Sequence, residues 1–136
     1  MLRETPEIET AFALADALFL SSRLDPLPNV VIDALTVGLP VLCFDRATGA
    51  AEILAQHGLH AECVANYLDT SDVAQKIRTL AASDETYAAV ASRSRDLAAT
   101  TFDFGAYVDK IEHIALQTPV RSPDLKGADD GLQKIV

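Results

Sequence analysis

The stretch SSRLDPLPNVVIDALTVGLPV, Ser21–Val41, decides how this chain folds. Just before and into it, ALFLSS (17–22) is a short apolar run with the length of a buried strand. Pro26 and Pro28 suit neither a strand interior nor a helix interior, so RLDPLPN (23–29) reads as a loop. From Pro28 or Asn29 the pattern becomes helical, with Val31, Ala34 and Leu35 on one face and Gly38 as the stop. PVLCF (40–44) is then a second buried strand. Strand, loop, helix and strand in this order predict a parallel pair joined by a crossover helix.

Working outward, Thr5-Pro6-Glu7 looks like a helix start, and Ile8, Ala11, Phe12 and Ala15 follow at helical spacing. Downstream, GAAEILAQHG (49–58) is a short helix closed by Gly58, and AECVA (61–65) is a third strand. Three amphipathic helical faces come next. Val73, Ile77, Leu80 and Ala81 form the first; Tyr87, Val90, Ala91 and Leu97 form the second, after a cap at Ser83 or Asp84. Phe104, Tyr107, Val108, Ile111, Ile114 and Ala115 form the third. From Thr118 the pattern lapses into a segment with two prolines and two glycines. The expectation is an α/β fold, a partial Rossmann-like domain of about three parallel strands with flanking helices. Residues 1–117 would form that domain and 118–136 a tail or linker.

Composition narrows the function. With 136 residues, 49% of them hydrophobic, the chain has the makings of one packed domain. A net charge of −9 argues against nucleic acid, whose attraction needs a basic face. It leaves room for a small anion, because backbone amides bind phosphate without side-chain cations. Cys43 and Cys63 lie in apolar surroundings and read as reduced, buried thiols; their separation matches no metal pattern. His57, His60 and His113 read as surface or helix-end residues, and Glu52 as a favourable charge near a helix start. No Ser-His-Asp set, Gly-x4-Gly-Lys loop or metal cluster is present, and no cofactor is expected. The opening MLRETPEIET is too acidic for a signal peptide, and AFALADALFL is short and carries Asp16, so it cannot span a bilayer. A cytoplasmic location is expected, with peripheral membrane contact open to the full-length protein.

Ligands of parallel α/β sheets bind beyond the carboxyl ends of the strands. RLDPLPN lies at that end, and the following helix points its unpaired N–H groups and positive dipole end there. That geometry suits a phosphate. Asp25 stands in the loop and Asp33 about one turn inside the helix. Two carboxylates repel a phosphate but accept hydrogen bonds from sugar hydroxyls. The residues therefore read as a site for a sugar phosphate, against the plainer alternative of a loop cap and a solvated helix face.

The segment ADALFLSSRLDPLPNVVIDALTVGLPVLCFD (15–45) resembles the donor-binding segment of retaining glycosyltransferases of the GT-B fold, the family-four or group 1 type. In that pattern a strand is followed by Ser-Arg, a glutamate, Gly-Phe-Pro-Asn, an apolar trio, a second glutamate, Ala, and Gly-Leu-Pro-Val. Asp25 falls on the first glutamate, Asp33 on the second, and Leu27, Pro28 and Asn29 on Phe-Pro-Asn. Gly38, Leu39, Pro40 and Val41 match unchanged. Asp45, Gly49, Glu52 and Ile53 are similar to an Asp-x-Gly-Gly-x-x-Glu-Ile stretch with one residue extra, and TFDFGAYVDKIEHI (101–114) to the closing helix. The resemblance implies that Asp25, Leu27 and Pro28 face the transferred sugar. It gives the diphosphate to Asn29 and Val30, within the amides of Leu27 to Val30, and the ribose to Asp33. Arg23 sits beside the site and is equally placed for a surface ion pair.

Three departures stand out: both glutamates are aspartates, the glycine after the first acid is Pro26, and the paired glycines are Thr48-Gly49. Each carboxylate is drawn back by about 1.5 Å, one carbon–carbon bond. The resemblance further implies a partner domain and an upstream half-domain with basic residues that these 136 residues do not contain. The chain then reads as a fragment that binds a nucleotide sugar without turning it over alone. The other reading is a degenerate, non-catalytic Rossmann-like module kept for binding or assembly. Either way ALFLSS would be an uncovered sheet edge carrying Leu18, Phe19 and Leu20 with no lysine or proline to blunt it, and self-association through it is expected.

Overall fold

The computed structural model describes residues 8–117, so the helix start expected at Thr5–Glu7 and the tail from Thr118 lie outside the described residues. Residues through Asp103 form one compact unit, and the last described helix belongs to a second. In the first unit the order is α1 (Ile8–Leu14), β1 (Leu18–Leu20), α2 (Asn29–Val37), β2 (Val41–Phe44), α3 (Gly49–Gln56), α4 (His60–Cys63), β3 (Val64–Ala65), α5 (Thr70–Ala81) and α6 (Asp84–Thr101). The strands form one parallel sheet in the order β1-β2-β3, a partial Rossmann-like arrangement with flanking helices. Leu18 pairs with Val41 and Leu20 with Cys43; Cys43 in turn pairs with Val64.

All four residues of β2 are buried, as a central parallel strand covered on both faces requires. Leu42 and Val41 join Val31 and Leu35 of α2, Leu54 of α3, Leu59, and Val90 and Leu97 of α6 in the main core. The helical face read as Val31, Ala34 and Leu35 is the buried face of α2. β1 has β2 as its sheet partner, and its outer edge meets no other strand among the described residues. Phe19 on that strand is 41% exposed and stands edge-on to Phe44, ring centroids 5.6 Å apart.

The segment AECVA is a correction. Ala61 to Cys63 belong to a single helical turn, and only Val64 and Ala65 are extended. The Cys63 N–H donates to Leu59 O (2.9 Å), and two later cations hold the turn's carbonyls. Arg93 Nη1 donates to Gly58 O (2.7 Å) and Lys76 Nζ to Ala61 O (2.7 Å). Arg93 also pairs with Glu62 at 2.9 Å. These partners come from α5 and α6; the local signal for the turn is the helix preference of Ala61 and Glu62. The predicted face of α5 also differs: Val73 and Leu80 are buried, whereas Ile77 is 46% exposed. Ile77 lines a groove of about 530 Å³ with Asp16, Ala17, Leu80, Ala81, Asp84 and Tyr87.

The second unit's described helix, α7 (Phe104–Gln117), carries Phe104, Tyr107, Ile111 and Ile114 at the expected spacing, and all four are exposed.

Three caps set the helix boundaries. The Thr48 side chain accepts from the Ala50 N–H at the start of α3, Asp69 accepts from Ser71 and Asp72 N–H at α5, and Ser83 accepts from Thr86 N–H at α6. At the other end of α2, Gly38 is left-handed, with φ of 80°. Its N–H donates to Leu35 O and the Leu39 N–H to Ala34 O, both at 2.9 Å, which satisfies two terminal carbonyls and turns the chain into β2. A Cβ at this position would also come within 2.5 Å of the Arg95 guanidinium. Gly38→Ala is therefore expected to lower the unfolding free energy by about 1–2 kcal/mol in a denaturant titration. Adding Arg95→Ala should recover only part of that loss, because the backbone conformation stays unfavourable for alanine.

Candidate functional site

The carboxyl ends of the three parallel strands open on one edge of the sheet, where the loops after β1, β2 and β3 lie side by side. Asp25 is in the first of these loops, half-buried, and its backbone forms a parallel bridge with Thr48 in the second. The Asp25 N–H donates to Ala47 O (3.2 Å). In return the Gly49 N–H donates to Pro26 O (2.7 Å), with a longer branch to Asp25 O (3.4 Å). The loop before α2 is thus tied to the loop before α3 on both sides of Asp25.

Leu27 and Val30 turn their side chains against the main core, so these residues can offer a ligand little beyond backbone. Pro28 occupies the N-cap position of α2, extended, with no side-chain cap. Asn29 is exposed at the first position of the helix, and its N–H and that of Val30 have no partner among the described residues. Asp33 is exposed one turn on, four residues from Asn29 and hence on the same helix face. The structure therefore brings Asp25, Leu27, Pro28, Asn29, Val30 and Asp33 to one region. Neither Asp25 nor Asp33 has a side-chain hydrogen bond or ion pair among the described residues.

The two neighbouring helix starts differ. At α3 the buried Thr48 caps the Ala50 N–H, its carbonyl accepts from Ala51 (3.2 Å), and the Gly49 N–H goes to Pro26. The donors of that first turn are occupied by protein. At α2 the Val31 N–H donates to Pro28 O (3.0 Å), whereas the Asn29 and Val30 N–H groups stay open at the dipole's positive end, and the Asp25 and Asp33 carboxylates have no partner among the described residues. Such an arrangement accepts a phosphate group at the amides and polar hydroxyls at the carboxylates.

Sequence reasoning did not find Thr48 and Ala47 as supports of Asp25. The available signal was a Thr-Gly pair ahead of an apolar helical run, which marks an N-cap but says nothing of the chain segment it touches. Further along the same edge, Arg46 is left-handed with φ of 57°; its Nε lies 3.2 Å from Asp45, and its guanidinium sits 5.8 Å from the Tyr67 ring centre. The groove lined by Asp16 and Ala17 is at the entry to β1, at the opposite end of the strand from this site. Among the described residues no three His, Cys, Asp or Glu side chains cluster to hold a metal ion. No helix among them is long and apolar enough to cross a membrane.

The family described as glycosyl transferases group 1 matches residues 1–97. The chain belongs to that family. Among curated proteins it is similar to the amylovoran biosynthesis glycosyltransferase AmsD of Erwinia amylovora, with 32% identity over 71 residues, 52% of this chain. That alignment covers 20% of the relative, so the chain spans about a fifth of its length. No solved structure gives a significant match.

The two cysteines offer no nucleophile. Both are free and buried, and burial pushes the Cys43 and Cys63 thiols up to about 12. The folded state therefore keeps them protonated above the ordinary thiol range. Their contribution to stability is complete below pH 9.0, the unfolded value, and is lost as pH rises toward about 12. A thiol reagent at pH 8 is expected to label neither cysteine in the native chain and both after denaturation. Rapid labelling of the native chain would contradict the burial.

Proposed function

We propose that this chain is the donor-binding part of a GT-B glycosyltransferase that uses a nucleotide-activated sugar. The observation that carries the reading is the contrast between α3, whose first three N–H groups all have protein acceptors, and α2, where the Asn29 and Val30 N–H groups and the Asp25 and Asp33 carboxylates have no partner among the described residues. In this reading the amides of Asn29 and Val30 hold the diphosphate. Asp33 accepts hydrogen bonds from the ribose hydroxyls, and Asp25 with the backbone at Leu27 and Pro28 meets the transferred sugar. Family membership supports the same assignment, since group 1 enzymes transfer glycosyl groups.

The carboxyl edge of this sheet supplies one wall of a site. Transfer to an acceptor needs the reactants positioned from both sides, so a facing domain would complete it. The 136-residue chain is accordingly expected to bind a donor without transferring its sugar. The short carboxylates set an upper bound on affinity, because each reaches about 1.5 Å less far than a glutamate.

Amide spectra recorded during titration with UDP, GDP and ADP test the reading. Millimolar concentrations of at least one should move the amides at Leu27 and Asn29 to Val31. Asp33→Ala should weaken that nucleotide by about tenfold, the loss of one hydrogen bond to a charged acceptor. If no signals move in that segment, the site has lost its ligand, and a non-catalytic module is the better description.

A further inference from the structure

We infer that Gly49, the first residue of α3, is a positioning residue of the donor site, and that it acts by fixing where Asp25 stands. This rests on the nucleotide-sugar reading above and goes beyond it in saying what selects the sugar.

The observation is a close approach of two backbones. The Gly49 N–H donates to Pro26 O at 2.7 Å and reaches Asp25 O at 3.4 Å, while the Asp25 N–H donates to Ala47 O at 3.2 Å. Asp25 is therefore held between residues 47 and 49 on both its donor and acceptor sides. Pro26 cannot soften this arrangement, since its ring fixes φ and it has no N–H to rearrange. A Cβ at Gly49 would collide with the Pro26 carbonyl oxygen, which is backbone and cannot swing aside as a side chain can. Any larger residue must push the loop away from α3 and carry Asp25 with it. Nothing comparable constrains Asp33, which sits on α2 among regular helical hydrogen bonds.

The short side chain makes that position matter. An aspartate has one fewer rotatable bond than a glutamate, so it cannot compensate for a displaced backbone by reaching further. Gly49 thus sets the loop from Asp25 to Pro28 that meets the sugar, while Asn29, Val30 and Asp33, which meet the diphosphate and the ribose, sit on α2.

The test compares affinities of the full chain for bare nucleoside diphosphates (UDP, GDP, ADP) and for their hexose conjugates. The wild-type chain should bind one conjugate more tightly than its bare diphosphate. Gly49→Ala should remove that preference, weakening the conjugate by about tenfold and leaving the bare diphosphate within about twofold. Asp25→Ala should do the same, and the double variant should be no worse than either single one. Equal weakening of both ligands, or no weakening, overturns the inference, as does a wild-type chain that never prefers a conjugate. Should Gly49→Ala fail to fold, the wild-type spectrum decides. The Gly49 and Asp25 amides must then move with the conjugate and stay still with the bare diphosphate, and a stationary pair overturns the proposal. A wild-type chain whose Leu27–Val31 amides respond to no nucleotide removes the donor-site reading itself, and this inference with it.

Discussion

The burial of β2 on both faces and its pairing along both edges is the constraint on which the rest depends. A strand in that position must be apolar at every residue, and Val41, Leu42, Cys43 and Phe44 are. Its parallel neighbours oblige the chain to cross over twice. Each crossover brings a loop to the carboxyl edge and starts a helix there. The Asp25 loop and the Thr48–Gly49 turn are thus neighbours because β1 and β2 are neighbours, and the backbone tie between them prolongs the sheet pairing beyond the strands.

Much of this was legible because the signals are local. The helix over Asn29–Val37 announces itself by the period of Val31, Ala34 and Leu35 and by a glycine stop, and both act within a turn or two of the chain. The parallel order follows from strand–helix alternation. What could not be read depends on groups distant in sequence. Ala61 to Cys63 run straight into the extended Val64 and Ala65 yet form a helical turn, as Ala61 and Glu62 favour, and Lys76 and Arg93 engage the surrounding carbonyls. Ile77 has the period of a core residue and remains exposed, because amphipathic spacing selects a face and not what covers each position on it.

The candidate site divides in the same way. Its acids and its open amides are visible in Ser21–Val41 as a loop, two carboxylates and a helix start. Its rigidity is not. The grip on Asp25 comes from Ala47 and Gly49, more than twenty residues on, through main-chain groups that every residue type possesses. A glycine at the start of a helix looks like a weak helix former until the opposing carbonyl is in view. The contrast between α2 and α3 is equally hidden, since it depends on which N–H groups already have partners.

The clasp of Arg93 on Gly58 and Glu62 has a consequence for the order of events during synthesis. Arg93 follows its partners by 35 and 31 residues, and Lys76 follows Ala61 by 15. β1 and β2 can pair as soon as both have emerged, whereas α2 waits for α6, the helix it packs against most. β3 waits too: the turn that leads into it acquires its cationic support only when α5 and then α6 have been made. A growing chain that has reached only β3 exposes one side of β2 and lacks the groups that would hold its neighbour there. The support for the second half of the sheet thus comes from helices that contribute no residue to it.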